Sequence, residues 1–205
     1  MKVLLVNGSS HEKGCTYTAL AEVAKALNAN GVETEIYWLG QNQVSGCKGC
    51  WVCKKIKKCV IDDGVNEFVA KAAEFDGFVF GSPVYYASAA GALVSFMDRV
   101  FYSGGKNLAF KPAAAVVSCR RAGASTTFDV INKYFTINNM PIVGSNYWNE
   151  IHGNTAEEAA QDAEGLQTMR MLGNNMAWLL KCIALGKEAG IAPETEKKIW
   201  TNFIR

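Results

Sequence analysis

Lys2-Val3-Leu4-Leu5-Val6-Asn7-Gly8-Ser9-Ser10, continuing to Gly14-Cys15-Thr16-Tyr17-Thr18, is the stretch on which the fold turns. Val3 to Val6 is an unbroken apolar run, as expected of a central strand covered on both faces of a parallel sheet. Downstream, Leu20, Val23, Ala24 and Leu27 recur at helical spacing, and Asn30-Gly31 stops that helix. Thr34 to Leu39 predicts a second strand, whose polar start (Glu33, Glu35) suits a sheet edge. The alternation continues. Val65, Phe68, Val69 and Ala72 predict a helix, Gly77 to Phe80 a third strand, and Leu93, Phe96, Met97 and Val100 another helix. Ala113 to Val117 predicts the fourth strand, followed by a helix through Phe128, Ile131, Tyr134 and Phe135. Ile142-Val143 marks a short fifth strand, and Leu166, Met169, Gly173, Met176, Leu180 and Ile183 a long final helix. Strand–helix alternation with right-handed crossovers gives a five-stranded parallel sheet between helical layers, strand order 2-1-3-4-5. A ligand then binds where the order reverses, between strands one and three.

The loops leaving the C-terminal strand ends share that rim. Gly8 to Thr18 joins the first strand to a helix N-terminus, whose free N–H groups and positive dipole end suit a phosphate. Hydroxyls of Ser9, Ser10, Thr16 and Thr18 can add hydrogen bonds; a Ser-rich capped turn is the plainer alternative. Neither the P-loop Lys nor the spaced-glycine dinucleotide fingerprint is present. After strand three, Pro83, Val84, Tyr85 and Tyr86 offer a stiff turn and two flat aromatic faces, of which one is expected to pack in the core. After strand four come Ser118, Cys119, Arg120, Arg121 and Gly123; an Arg there can attract a reduced, anionic ligand, although paired loop arginines are commonly solvated. Tyr147-Trp148 is expected beyond strand five, on the same edge or against a partner subunit.

The most specific signal is Cys47-Lys48-Gly49-Cys50-Trp51-Val52-Cys53 continuing to Cys59, a C-x2-C-x2-C-x5-C run. Three thiols at such spacing converge only in a curled loop, which Gly46 and Gly49 permit. Iron–sulfur ligation uses similarly compact runs. Tetrathiolate zinc and free thiols are the other readings, although zinc ribbons show two separated knuckles. Lys48, Lys54, Lys55, Lys57 and Lys58 would offset the charge of such a centre and suit an acidic electron donor. Cys182 is expected to pack on a helix face, while Cys15 and Cys119 sit in rim loops. With 205 residues, 49% apolar and 20% charged, the chain fits one soluble α/β domain, and a net charge of +2 gives no nucleic-acid footprint. The opening apolar run is too short for a signal peptide and no stretch suits a membrane span, so a reducing cytoplasm is expected for the seven cysteines.

Gly8-Ser9-Ser10, Gly14-Cys15-Thr16, Gly81-Ser82-Pro83-Val84-Tyr85, Asp98-Arg99 and Asp162-Ala163-Glu164-Gly165 resemble the NADPH-dependent FMN reductase family of flavodoxin-like proteins. The four cysteines resemble its iron–sulfur flavoprotein branch. The resemblance implies a flavodoxin-like three-layer sandwich over residues 1–190, a cysteine-rich insertion at 45–62 and a tail at 191–205. It implies FMN held by the first, third and fourth rim loops: Ser9, Ser10, Thr16, Tyr17 and Thr18 for the phosphate, Pro83, Val84, Tyr85 and Tyr86 for the ring, and Ser118, Arg120 and Gly123 on its other side. It also implies a [4Fe–4S] cluster on Cys47, Cys50, Cys53 and Cys59, a homodimer or homotetramer, and electron transfer to a small-molecule acceptor. The donor is ferredoxin-like or a nicotinamide. His11 stands where the family usually has Arg, and Cys15 where it has Asn, which removes a phosphate or nicotinamide contact and leaves NADPH use open. Rival functions are a cluster-free NAD(P)H-dependent FMN or quinone reductase and a non-enzymatic electron shuttle.

Overall fold

The computed structural model describes residues 1–42, 44–201 and 203. Five strands form the parallel sheet: β1 (Lys2–Asn7), β2 (Glu33–Trp38), β3 (Gly77–Tyr85), β5 (Ala113–Cys119) and β6 (Glu150–His152). They run in the order β2-β1-β3-β5-β6, with the two-residue β4 (Ser88–Ala89) folded back on β3. Counting only the parallel strands, this is the expected 2-1-3-4-5 order, with β2 on the edge. Alternate residues of the central strands feed opposite layers, as the pleat requires. Val3 and Leu5 pack with α1 (Cys15–Ala29) and α7 (Ala163–Glu188). Leu4 and Val6 pack with α3 (Val65–Ala72), α4 (Gly91–Gly104) and α5 (Ala124–Ile137). Small residues Ala113 and Ala115 lie opposite Phe78 and Phe80, leaving room for Phe80 to reach Phe135 at 5.6 Å.

The fifth strand departs from expectation. Ile142 makes only an isolated bridge to Ala113, and Val143 donates to the Ala113 carbonyl at 2.9 Å. The chain then leaves the sheet through Gly144 to Trp148 and rejoins as β6 beside Val117 to Cys119. The reason is local: Gly144-Ser145-Asn146 is turn-forming, and the Ser145 hydroxyl donates to the Tyr147 carbonyl at 2.6 Å, closing a tight turn. Buried Asn149 repairs the gap, its Nδ2 donating to the Ala115 carbonyl at 3.0 Å while its own carbonyl accepts from Val117. Tyr147-Trp148 therefore precedes the last strand and is exposed, outside the rim cavity described below. Two short helices were also unforeseen: α2 (Val52–Ile56), within the cysteine segment, and α6 (Ala156–Ala159), capped by Thr155. Among the described residues no helix is long and apolar enough to cross a membrane.

The placement of α1, which opens from the Gly8 to Thr18 loop, depends on α7. Gly173 lets the two helices touch: a Cβ there would lie 2.6 Å from Ala26 Cβ and 2.8 Å from the Val23 carbonyl oxygen. Gly173→Ala is expected to destabilise the protein by about 1–3 kcal/mol through overpacking, despite alanine's better helix propensity. A lowered urea midpoint at unchanged slope would show it.

Candidate functional site

A cavity of about 750 Å³ opens at the C-terminal ends of β1, β3 and β5. That size suits a cofactor-sized ligand. Its floor is the loop from Ser9 to Thr16. Buried Asn7 shapes this loop, its Nδ2 donating to the Glu12 carbonyl at 2.9 Å and its Oδ1 accepting from the Ser9 amide at 3.1 Å. Trp38 Nε1 donates to the Ser9 carbonyl at 2.8 Å, tying the loop to the end of β2. The α1 helix has no side-chain N-cap, and its first main-chain bond runs from Thr18 to the Gly14 carbonyl at 3.0 Å. The amides of Cys15, Thr16 and Tyr17 therefore lack intrahelical acceptors and suit an anion.

Ser9, Ser10, Thr16, Pro83, Val84, Tyr85, Ser118 and Arg120 all line this cavity. Thr16 and Ser118 share a hydroxyl–hydroxyl bond of 2.8 Å across its base, and Ser10 and Tyr85 one of 2.7 Å across its mouth. Four other residues do not line it. Tyr17 and Thr18 lie further along α1, and the Thr18 hydroxyl turns back to the Gly14 carbonyl. Tyr86 sits at the tip of the β3–β4 hairpin with φ 58° and its ring fully exposed, so neither tyrosine packs in the core as one was expected to. Gly123, at φ 89°, lets the start of α5 approach Val84, where a Cβ would meet Val84 Cγ1 at 2.8 Å. Pro83 stands in β3, paired with Ser118, and not in a free loop.

Sequence reasoning missed Trp38, Gln41 and the wall from Gly153 to Glu157. The wall follows from the displaced fifth strand, since Gly153 leaves the true end of β6. Cys15 Sγ donates to the Gly153 carbonyl at 3.5 Å, and the Gly153 amide donates to the Cys119 carbonyl at 3.1 Å. Burial pushes both the Cys15 and Cys119 thiols up, keeping them protonated. Cys182 is exposed, contrary to the packing role expected of it.

The cysteines of the insertion form a second, separate cavity of about 240 Å³ against α4. Cys47, Cys50, Cys53 and Cys59 all line it, with Trp51, Arg99 and Tyr102. The curl differs from the glycine-only expectation. Gly49 is left-handed at φ 62°, but so are Trp51 at 61° and Lys57 at 60°, which flank α2, whereas Gly46 is not. Trp51 is held there by its edge-on contact with Tyr102 at 5.7 Å and by Lys54 Nζ, 4.0 Å from its ring centroid. All five lysines are exposed around the cavity. Among the described residues no three His, Cys, Asp or Glu side chains meet at the spacing of one metal ion. The four cysteine residues instead border one cavity. The space has room for a body of several atoms. Four thiols around it are the donor set of an iron–sulfur cluster.

Arg99, which carries part of the resemblance but is given no role by the sequence, is the largest addition. It is 2% exposed, and its guanidinium pairs with both Asp63 oxygens, donating from Nη2 to Oδ1 at 2.6 Å. Its hydrogen bond holds the Asp63 carboxyl below the ordinary carboxylate range. Arg99 stands three residues after Phe96, on the apolar face of α4. A lone charge on such a face requires a buried partner, and that was the available signal.

A switch-point cavity floored by a helix N-terminus, on a parallel sheet of order 2-1-3-4-5, defines an α/β protein suited to a phosphate-bearing ligand. Residues 1–155 match the family of NADPH-dependent FMN reductases, and the chain belongs to that family. It is 34% identical over 194 residues to an iron–sulfur flavoprotein of Methanocaldococcus jannaschii, covering 89% of this chain and 99% of the relative. An iron–sulfur flavoprotein of Methanosarcina thermophila is 27% identical over 192 residues, covering 92% and 100%. In fold it resembles an archaeal flavodoxin, with a TM-score of 0.60, 15% identity, and 88% of this chain and 99% of that one covered. The protein is a flavin-dependent oxidoreductase.

Proposed function

We propose that this protein passes electrons between a [4Fe–4S] cluster, bound by Cys47, Cys50, Cys53 and Cys59, and FMN in the rim cavity, and from there to a small acceptor. The observation that carries the reading is that all four thiols of the compact run line one cavity. Such a cluster carries one electron and FMN up to two, so the pair matches one-electron donors to two-electron acceptors. The chain's own residues bind and orient. The free amides opening α1, with Ser9 and Thr16, receive the phosphate; Pro83, Val84 and Tyr85 border the ring; Ser118 closes the base, and Arg120 brings positive charge to the edge. No side chain is assigned a proton-transfer role.

The two cavities share no lining residue, which favours electron passage between subunits of a homodimer or homotetramer over passage within one chain. The exposed lysines suit an acidic, ferredoxin-like donor; a nicotinamide is the other candidate. Seven free cysteines suit a reducing cytoplasm.

Anaerobic purification followed by absorption and EPR spectroscopy, with iron, sulfide and flavin analysis, tests the reading. Iron and acid-labile sulfide in equal amount, an EPR signal on reduction and flavin bands are expected. Flavin bands with no iron or sulfide, even after anaerobic reconstitution, would leave a plain FMN reductase and end the cluster assignment.

A further inference from the structure

Arg99 belongs to α4, outside the cysteine segment, yet three of its five N–H donors enter that segment and the other two meet Asp63 just beyond it. Nη1 donates to the Ser45 carbonyl at 3.1 Å and to Asp63, and Nη2 to the Ile61 carbonyl at 2.9 Å and to Asp63 at 2.6 Å. Nε donates to Cys59 Sγ at 3.3 Å. One planar, buried group thus ties the start of the insertion, ahead of Cys47, to its end, beyond Cys59. Among the described residues Cys59 is the one cysteine of the four whose sulfur accepts a side-chain hydrogen bond. An arginine is suited to this because its fork holds several acceptors in fixed directions, which a flexible ammonium cannot do.

Resting on the cluster reading above, we infer that Arg99 is a positioning residue that fixes Cys59 as a ligand and, through the Nε–H···S bond, raises the reduction potential of the cluster. Reduction adds negative charge to the cluster and its sulfurs, so a donor aimed at one sulfur stabilises the reduced form more than the oxidised one. Asp63 offsets the guanidinium charge, so the effect resides chiefly in that directed bond and not in a diffuse positive field. Among the described residues the other three cysteines have no such side-chain donor, which makes Cys59 the sulfur through which the protein tunes the site.

Arg99→Lys keeps the charge and can still pair with Asp63, but loses the fork. In the flavin-loaded, anaerobically reconstituted protein, the variant is expected to retain its FMN absorbance. At a fixed potential its ratio of reduced to oxidised cluster should fall about tenfold, a midpoint about 59 mV lower by EPR-monitored titration. A merely structural role would lower the iron content without moving the midpoint of the clusters that remain. A variant with full iron and an unchanged midpoint overturns the inference. A second measurement needs no variant: the unaltered protein carrying heavy-nitrogen-labelled arginine should show guanidinium nitrogen coupling to the reduced cluster in pulsed EPR. Absence of that coupling also overturns it, whether or not Arg99→Lys folds. Absence of iron and sulfide from the unaltered protein would instead defeat the cluster reading itself.

Discussion

Cys50→Ser should purify with its flavin and without its iron. A serine hydroxyl stays protonated at neutral pH and offers iron a hard, neutral oxygen where the site needs a soft thiolate. Three remaining thiolates leave one corner of the cluster unheld. Cys50 is solvent-exposed and packs in no core, so the substitution should change folding stability by no more than about 0.5 kcal/mol. The flavin cavity shares no lining residue with the cysteine cavity, so its occupancy should not change. The expected result is loss of iron and acid-labile sulfide together, with the flavin-to-protein ratio held. Cys182→Ser, on an exposed face of α7, is the control and should keep all three. Iron unchanged in Cys50→Ser would remove that thiol from the ligand set. Loss of flavin with the iron would mean that the two sites are not independent.

What the sequence disclosed follows from where the physics is local. Val3 to Val6 and the helical spacings of Leu20 to Leu27 and Leu166 to Leu180 report burial directly, and those elements stand where they were expected. The cysteine run is likewise a local pattern, and its four thiols do share a cavity. The failures are long-range. Ile142-Val143 reads as a strand by composition, but whether the chain stays in the sheet depends on Asn149 replacing the lost ladder bond to Ala115, which no window of neighbouring residues reveals. Tyr86 resembles Tyr85 in sequence; a left-handed turn separates them, placing one beside Ser10 and the other in solvent. Arg99 lies far along the chain from the cysteines it binds. Its position on an apolar helix face announces a buried partner but not which one. Trp38 was hidden for the opposite reason: an aromatic ending an edge strand looks like packing, and only its indole bond to Ser9 ties it to the loop that opens α1.

Thr16→Asp should fold, at some cost in stability, and lose FMN while still binding riboflavin. Thr16 is 1% exposed in the first turn of α1, lines the rim cavity and bonds Ser118. Aspartate is close to threonine in size, can accept from the Ser118 hydroxyl, and sits where the helix dipole favours a carboxylate by about 0.3–1 kcal/mol. At 1% exposure that carboxylate also loses its hydration, so the empty protein should be about 1–3 kcal/mol less stable than the parent. The helix-dipole field is also what the FMN phosphate needs. Two unit negative charges about 4 Å apart repel by about 1 kcal/mol in bulk water and about 4 kcal/mol near a protein surface. A phosphate carrying more than one charge, which also loses the Thr16 hydroxyl bond, should pay about 3 kcal/mol, or roughly a hundredfold in affinity. Riboflavin presents the same ring to Pro83, Val84 and Tyr85 but no phosphate, so its affinity should fall far less. Fluorescence titration of the flavin-free protein with each ligand reads the ratio. An equal loss for both would place Thr16 against the ring, and no loss for either would move the phosphate away from the start of α1.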